Sequence, residues 1–256
     1  MTMSNNVPGA PAPELPPPAN RLRGRRIVIT GAASGIGRTT ALLFAQEGAS
    51  LALFDRDASG LALTTRQTGG HPLEVDISNE DQISKAAESA STRLGGIDGI
   101  VNAAGIMPHG SVAETPVAVW RRTLDVNLTG TYLVIRSCLP WMEQESAATI
   151  VNIASAAGLL PNAPGLTAYA ASKGGVVNLG RALAAELAPK IRVNTVCPGM
   201  VDTPMADGFR GNTQNYALKR MADPAEIAQV ILFLTSAQSS YVTGAALAAD
   251  GGRSFH

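Results

Sequence analysis

From Arg26 onward the chain alternates between short apolar, β-branched runs and longer stretches of helical pattern. The runs RIVIT, SLALF, PLEV, GIVNA, TIVNIA and IRVNTV read as strands. RTTALLFAQEG follows the first of them, and GGVVNLGRALAAELA carries apolar residues three and four apart, the spacing of a helix face. A seventh strand-like run, GAALAA, comes after the helical segment DPAEIAQVILFLTS and before the turn DGG. Such alternation predicts an α/β domain with a doubly wound parallel sheet of about seven strands and helices on both faces. No repeat and no shift of composition interrupts it, so residues 22–256 are expected to form one domain. Ligands of such sheets sit at the carboxyl ends of the strands.

Composition narrows the range of functions. A 256-residue chain with 45% hydrophobic residues can bury a substantial core. Twenty basic and twenty acidic side chains cancel, which argues against nucleic acid or an anionic membrane surface as partner. No apolar run reaches the roughly 18 residues that a spanning helix needs. Cys138 and Cys197 lie in apolar surroundings with no metal-ligand spacing, so reduced thiols, no metal and a cytoplasmic location are expected. The first twenty residues hold six prolines and neither a basic residue nor an apolar core. Residues 1–21 therefore read as a disordered tail rather than a targeting segment.

Candidate chemistry begins at the end of the first strand with TGAASGIG, residues 30–37, directly before a helical pattern. Gly31, Gly35 and Gly37 permit a tight turn and a close backbone approach to phosphate, with helix-start amides supplying positive charge. Their spacing departs from G-x-G-x-x-G, and it is the position between strand and helix that gives the motif weight. Eighteen residues after Gly37, at the end of the second strand, Asp55 can accept hydrogen bonds from both ribose hydroxyls of an adenosine and repel a 2′-phosphate. That favours NAD over NADP, although Asp55 could instead cap the next helix, and Arg56 beside it could accept a 2′-phosphate. In AYAASK, Tyr169 precedes Lys173 by four residues, which places both on one helix face. An ammonium near a phenol favours the phenolate, but such a pair also arises as a surface aromatic beside a solvated lysine.

Taken together these motifs resemble the short-chain dehydrogenase/reductases of about 250 residues with one Rossmann-type domain. TGAASGIG is similar to the family's cofactor loop, NAAG (residues 102–105) to its fourth-strand motif, YAASK to its Y-x-x-x-K signature, and CPGMVDT to the loop that holds the nicotinamide. DVNLTG supplies Asn127, and IVNIASAAG supplies Ser155, fourteen residues before Tyr169. The resemblance implies a catalytic tetrad of Asn127, Ser155, Tyr169 and Lys173. Tyr169 would transfer the hydroxyl proton, Lys173 would lower its pKa together with the positive ring of the oxidised cofactor and bind the nicotinamide ribose, Ser155 would polarise the substrate oxygen, and Asn127 would interrupt its helix to hold a water leading to solvent. Implied cofactor contacts are Gly31, Ser34, Gly35, Ile36 and Gly37 in the loop, Asp55 at the ribose, and Asp76 and Ile77 at the adenine. Asn102 would lie under the adenosine ribose, Ala103 and Gly105 would also contact the cofactor, and Tyr169 and Lys173 would stand at the nicotinamide. Pro198 and Gly199 would belong to the loop at the nicotinamide, where the Val201 backbone N–H and the Thr203 hydroxyl would hold the carboxamide. Ala103 stands where the family usually has a second asparagine.

The resemblance implies NAD-dependent exchange between a secondary alcohol and a ketone, and a homotetramer built through helices near residues 115–143 and 167–188 and the C-terminal segment. A 3-oxoacyl thioester reductase is the alternative; it predicts NADPH and a basic docking patch, against which Asp55 and the zero net charge speak. A cofactor-sensing binding protein without turnover is a third reading, disfavoured by the intact tetrad. Residues 200–219, with Met205 and Phe209, resemble a substrate lid. His109 reads either as a substrate contact or as a surface histidine, Trp120 and Trp141 as packing residues, and Cys197 as core.

Overall fold

The computed structural model describes residues 19–142, 147–161, 163–208 and 213–254. Seven strands, β1 Arg26–Thr30, β2 Ser50–Asp55, β3 His71–Glu74, β4 Gly99–Asn102, β5 Ala148–Ile153, β6 Ile191–Pro198 and β7 Ala246–Ala249, form one sheet in the order β3-β2-β1-β4-β5-β6-β7. Every adjacent pair is parallel, the doubly wound Rossmann-type arrangement that the alternation predicts. The register of β3 differs by one residue from the run PLEV. GAALAA begins two residues late, because Gly244 takes a φ of +75° that a strand cannot use.

Among the described residues seven α-helices cover the sheet: α1 Gly35–Gln46, α2 Ala58–Thr68, α3 Glu80–Leu94, α4 Val117–Leu124, α5 Gly130–Met142, α6 Thr167–Leu187 and α7 Pro224–Thr235. Their starts carry local signals. Asp57 accepts the Ser59 and Gly60 amides at the head of α2, and Asn79 accepts that of Gln82 at the head of α3. Asp223 and Glu226 form a capping box on α7, with Pro224 at its first position. Side chains alternate across the sheet, so neighbours in β1 serve different layers. Val28, Ile100 and Ile150 pack with Ile83 and Val134 on one face. Ile27, Ile29, Val101 and Val151 pack with Phe44 and Ile231 on the other. Burying a side chain as large as Phe44 contributes on the order of 2 kcal/mol.

The N-terminal boundary needs correction. Residues 1–18 of the expected tail lie outside the described residues, but Ala19 and Arg21 are anchored to the domain. Their amides donate to Glu47 (3.2 and 2.8 Å), and the Arg21 guanidinium pairs with it at 2.6 Å. Arg21, first through its side-chain hydrogen bond, holds the Glu47 carboxyl below its usual range against the cost of burial. Among the described residues, no helix is long and apolar enough to cross a membrane. The sheet order reverses between β1 and β4, and a crevice opens there between chains that leave in opposite directions.

Candidate active site

The loops leaving the carboxyl ends of the central strands surround a cleft of about 660 Å³. Thr30 Oγ1 accepts the amides of Ala103 and Ala104 (3.1 and 3.2 Å), which ties the end of β1 to the end of β4. Gly31 has a φ of +69°, and a Cβ there would lie 2.8 Å from the Ala104 nitrogen. A Cβ on Gly37 would lie 2.1 Å from the Gly31 carbonyl oxygen. Backbone thus occupies the space that side chains would need. Ser34 is the extended N-cap of α1 and its side chain makes no cap bond. The first amides of a helix have no intrahelical partner and carry partial positive charge, and Ser34, Gly35, Ile36 and Gly37 all line the cleft. This cradle fits the diphosphate of a dinucleotide.

Asp55 is not a helix cap, since Asp57 takes that role. Its Oδ2 accepts the Ala33 amide (2.9 Å) and its Oδ1 the Asp57 amide (3.0 Å). One bond to each oxygen fixes the carboxylate on the cleft wall and leaves acceptor capacity on both. Arg56 lines the same end. Asp76 and Ile77 reach the wall as well. Burial disfavours the Asp76 carboxylate, but the Ser78 hydroxyl and amide and the Arg122 guanidinium (2.9 Å) outweigh it and hold the carboxyl at about 2.

At the other end, Ser155 follows β5 and Tyr169 lies in the first turn of α6, both on the wall. Ser155 Oγ accepts the Ala157 amide (3.1 Å) and stands close enough to the Tyr169 phenol to favour its ionised form. Lys173 is one turn further along α6, with Nζ 5.8 Å from the Tyr169 ring centroid and donating to the Ile153 carbonyl at 2.8 Å. Pro198, Gly199, Val201 and Thr203 close the cleft beyond β6. The Thr203 methyl packs 3.2 Å from where a Gly35 Cβ would stand, so this loop touches the glycine loop. A hydroxyl pair beside a buried ammonium, at one end of a cleft with an anion cradle at the other, can move a proton to or from a bound oxygen.

A family model described as Enoyl-(Acyl carrier protein) reductase matches residues 31–254. The chain is 41% identical over 243 residues to the 3-oxoacyl-[acyl-carrier-protein] reductase FabG of Thermotoga maritima, covering 91% of this chain and 98% of that protein. It is 38% identical over 239 residues to the cis-4-hydroxycyclohexanecarboxylate dehydrogenase of Sinomonas cyclohexanicum, covering 89% and 96%. The structure of 3-ketoacyl-(acyl-carrier-protein) reductase from Brucella melitensis complexed with NADH superposes with a TM-score of 0.88 at 36% identity, over 91% of this chain and all of that one. The chain belongs to the short-chain dehydrogenase/reductases.

Members of this family are oxidoreductases that bind a nicotinamide cofactor, and several details of this member depart from what its motifs imply. Asn102 does not reach the cleft: it is 3% exposed, and its Nδ2 donates to Asn152 Oδ1 (2.9 Å) on the paired strand. Its place in the ladder turns it into a tie between β4 and β5. Asn127 also lies behind the wall. It occupies a turn of π-helix, Asp125–Thr129, between α4 and α5, the irregularity expected of it. Its side chain clamps main chain: Oδ1 accepts the Ile106 amide (2.8 Å), while Nδ2 donates to the Ile106 carbonyl (2.9 Å) and the Ser172 hydroxyl (3.0 Å). Both amide hydrogens are committed, so only Oδ1 has a lone pair for water.

The expected depression of the Tyr169 pKa is not produced by the protein. Burial raises it; the Ser155 hydroxyl and the Arg253 charge oppose burial, and Lys173 is not among the groups that move it. Lys173 is itself pulled down to about 8 by burial, with Cys197 opposing. The physical cause is shared: α6 carries both groups into a dry site, where each charged form is disfavoured.

Ala103 and Gly105 line the cleft, and a Cβ on Gly105 would sit 3.2 Å from Asn127 Oδ1 and 3.4 Å from Lys173 Nζ. His109 and Met205 are on the wall too, while Phe209 lies outside the described residues. Trp141 packs on the core and Trp120 is half-exposed. Both cysteines are buried and free, with thiols pushed by burial to about 12 for Cys138 and about 11 for Cys197. Among the described residues no cluster could hold a metal. Sequence reasoning missed Arg122, Tyr216 and Arg253, all of which line the cleft. The DGG turn that precedes Arg253 was visible, but no periodicity reports where a terminal turn folds back.

Proposed function

We propose that the protein is an NAD-dependent oxidoreductase that interconverts a secondary alcohol and a ketone. The observation that carries this reading is that Ser155, Tyr169 and Lys173 meet at one end of a cleft whose other end holds the glycine cradle and Asp55. NAD, when bound, would accept or return the hydride. Tyr169 gives its phenolic proton to the carbonyl oxygen in reduction and takes the hydroxyl proton in oxidation, and Ser155 orients that oxygen. Burial keeps Tyr169 protonated near neutrality, which suits reduction; oxidation needs the phenolate and gains as pH rises. Lys173 donates to the Ile153 carbonyl and borders Gly105, a position suited to a ribose hydroxyl. Asn127 positions Ile106 and α6 around it.

Asp55 supports NAD, because a carboxylate at the ribose repels a 2′-phosphate. Val201 and Thr203 are assigned to the carboxamide, and the segment 200–219 to a substrate lid. Exposed Tyr132 and Trp120, 45% and 36% accessible, support a homo-oligomer through α4 and α5. A second reading, a 3-oxoacyl thioester reductase, is favoured by the likeness to the Thermotoga protein and predicts NADPH as reductant.

The test is Tyr169→Phe, assayed with NADH and NADPH in both directions against secondary alcohols, ketones and 3-oxoacyl thioesters. NADH binding is expected to persist while turnover falls by 10²–10⁴. Unchanged turnover would overturn the proton-transfer role, and turnover confined to NADPH and thioesters would establish the second reading.

A further inference from the structure

Arg122 stands in the last turn of α4 and reaches the loop after β3, where it joins Asp76 and Ser78 in a closed ring of hydrogen bonds. Its Nη2 donates to Asp76 Oδ2 at 2.9 Å, and its Nη1 donates to Ser78 Oγ. Ser78 in turn donates its hydroxyl (2.7 Å) and its amide (3.0 Å) to Asp76 Oδ1. The Asp76 main chain is fixed as well: its amide donates to Gln82 Oε1 and its carbonyl accepts the Asn79 amide, both at 2.9 Å. Close packing holds the two segments together, since a Cβ on Gly130, at the start of α5, would lie 2.6 Å from the Ile77 carbonyl oxygen. The ion pair itself is accessible, with side-chain exposures of 40% for Arg122 and 34% for Asp76, and such pairs contribute little stability. What the ring fixes is the direction in which the carboxylate points.

A carboxylate offers about four lone-pair sites on its two oxygens. The ring takes two on Oδ1 and one on Oδ2, which leaves a single acceptor site, on Oδ2. Asp76 and Arg122 both line the cleft. With its pKa at about 2, the Asp76 carboxyl has no proton of its own to donate at neutral pH. Its place along the cleft follows from the sheet: Asp55 pairs with Glu74 across β2 and β3, and the Val75 amide donates to the Asp55 carbonyl at 2.8 Å. Asp76 therefore comes next to the position at which Asp55 would hold a ribose.

Resting on the proposed function, we infer that Arg122 is a positioning residue that selects the purine of the cofactor, by pinning Asp76 so that one acceptor site faces the base. The 6-amino group of adenine is a donor and satisfies that site. The 6-oxo group of hypoxanthine is itself an acceptor, and it sets two oxygens against each other. A site built to pair with a donor rejects the analogue that lacks it, because the site's own polar group is then left unpaired. The selection concerns the base alone, so it applies to NADPH as it does to NADH.

The test is a fluorescence titration of the purified protein with NADH and with deamino-NADH, in which hypoxanthine replaces adenine; NADPH and deamino-NADPH take their place if NADPH is the cofactor bound. Wild type is expected to bind the adenine form at least tenfold tighter. Arg122→Gln should bring that ratio within threefold of one, chiefly by weakening the adenine form, and Arg122→Lys should restore part of it. Arg121→Gln removes the same charge from an exposed neighbour in the same helix turn and should leave the ratio at its wild-type value. Asp76→Asn carries a donor as well as an acceptor, so it should take either base within threefold, and it keeps the question open to measurement should Arg122→Gln fail to fold. A wild-type ratio near one would overturn the inference and leave the proposed function standing. Arg122→Gln weakening both dinucleotides by the same factor would overturn it too, since that is the mark of a merely structural role, as would a ratio that falls equally in Arg121→Gln or survives in Asp76→Asn. Adenine selection through Arg122 without turnover of any alcohol or ketone would instead overturn the proposed function and keep the selection.

Discussion

Gly37→Ala separates two effects of opposite sign. Gly37 is buried in α1, and in a helix interior alanine is favoured over glycine by about 1 kcal/mol. Propensity alone predicts stabilisation. The added Cβ would stand 2.1 Å from the Gly31 carbonyl oxygen and 3.1 Å from that of Thr30, and relieving the first contact requires moving backbone by roughly 1 Å. Gly31 cannot simply retreat, because the Ala103 and Ala104 main chain leaves no room beside it even for a Cβ. Backbone shifts of this kind cost about 1–3 kcal/mol or more, so the contact wins. A net loss of about 1–2 kcal/mol corresponds to a Tm lower by roughly 2–8 °C for a domain of this size. The same shift misaligns the α1 amides. Losing two charge-assisted hydrogen bonds at about 1.5 kcal/mol or more each would weaken NADH binding about 100-fold. The control is Gly174→Ala in α6, where the nearest atom to the new Cβ is the Gly158 carbonyl oxygen at an ordinary 3.7 Å; it should raise the Tm. Thermal melts and NADH fluorescence titrations read both variants. Equal Tm shifts in the two, or NADH binding by Gly37→Ala within threefold of wild type, would refute the reasoning.

Three further outcomes are expected. Lys173 titrates at about 8 in the fold against 10.5 ordinarily, so between those values the folded state has released a proton that the unfolded chain keeps, and stability rises with pH. At about 1.36 kcal/mol per pH unit, wild type should gain roughly 2 kcal/mol relative to Lys173→Met between pH 7 and pH 9.5 in urea titrations; a constant difference would refute the burial argument. Asp55→Asn removes the charge while keeping an acceptor oxygen, and should lower the preference for NAD over NADP in kcat/KM by about tenfold or more, as electrostatic rejection of a 2′-phosphate requires. Tyr132→Glu places a charge on the exposed face of α5 and should shift the protein to a smaller species in light scattering; an unchanged mass would remove α5 from the proposed interface.

Much of this protein was legible along the chain, because the relevant signals are local. Strands and helices follow from periodicity and caps, so the parallel sheet and the strand-to-helix position of residues 30–37 needed no coordinates. The four-residue step from Tyr169 to Lys173 places both on one helix face wherever that helix goes. What sequence could not supply is distance and dryness. Asn102 reads as a ligand within NAAG, yet strand register sets it against Asn152. Asn127 reads as a water holder, and folding adds a role that sequence did not show, the clamp of its amide on the Ile106 main chain and Ser172. Proximity of an ammonium predicts an acidic Tyr169, whereas burial, a property of the packed whole, raises it. Arg253 lies 84 positions beyond Tyr169, and only the return of the chain through β7 puts its charge beside that phenol. Sequence sets local conformation and the inventory of reactive groups, while partners and desolvation depend on contacts between distant segments, which only the tertiary fold creates.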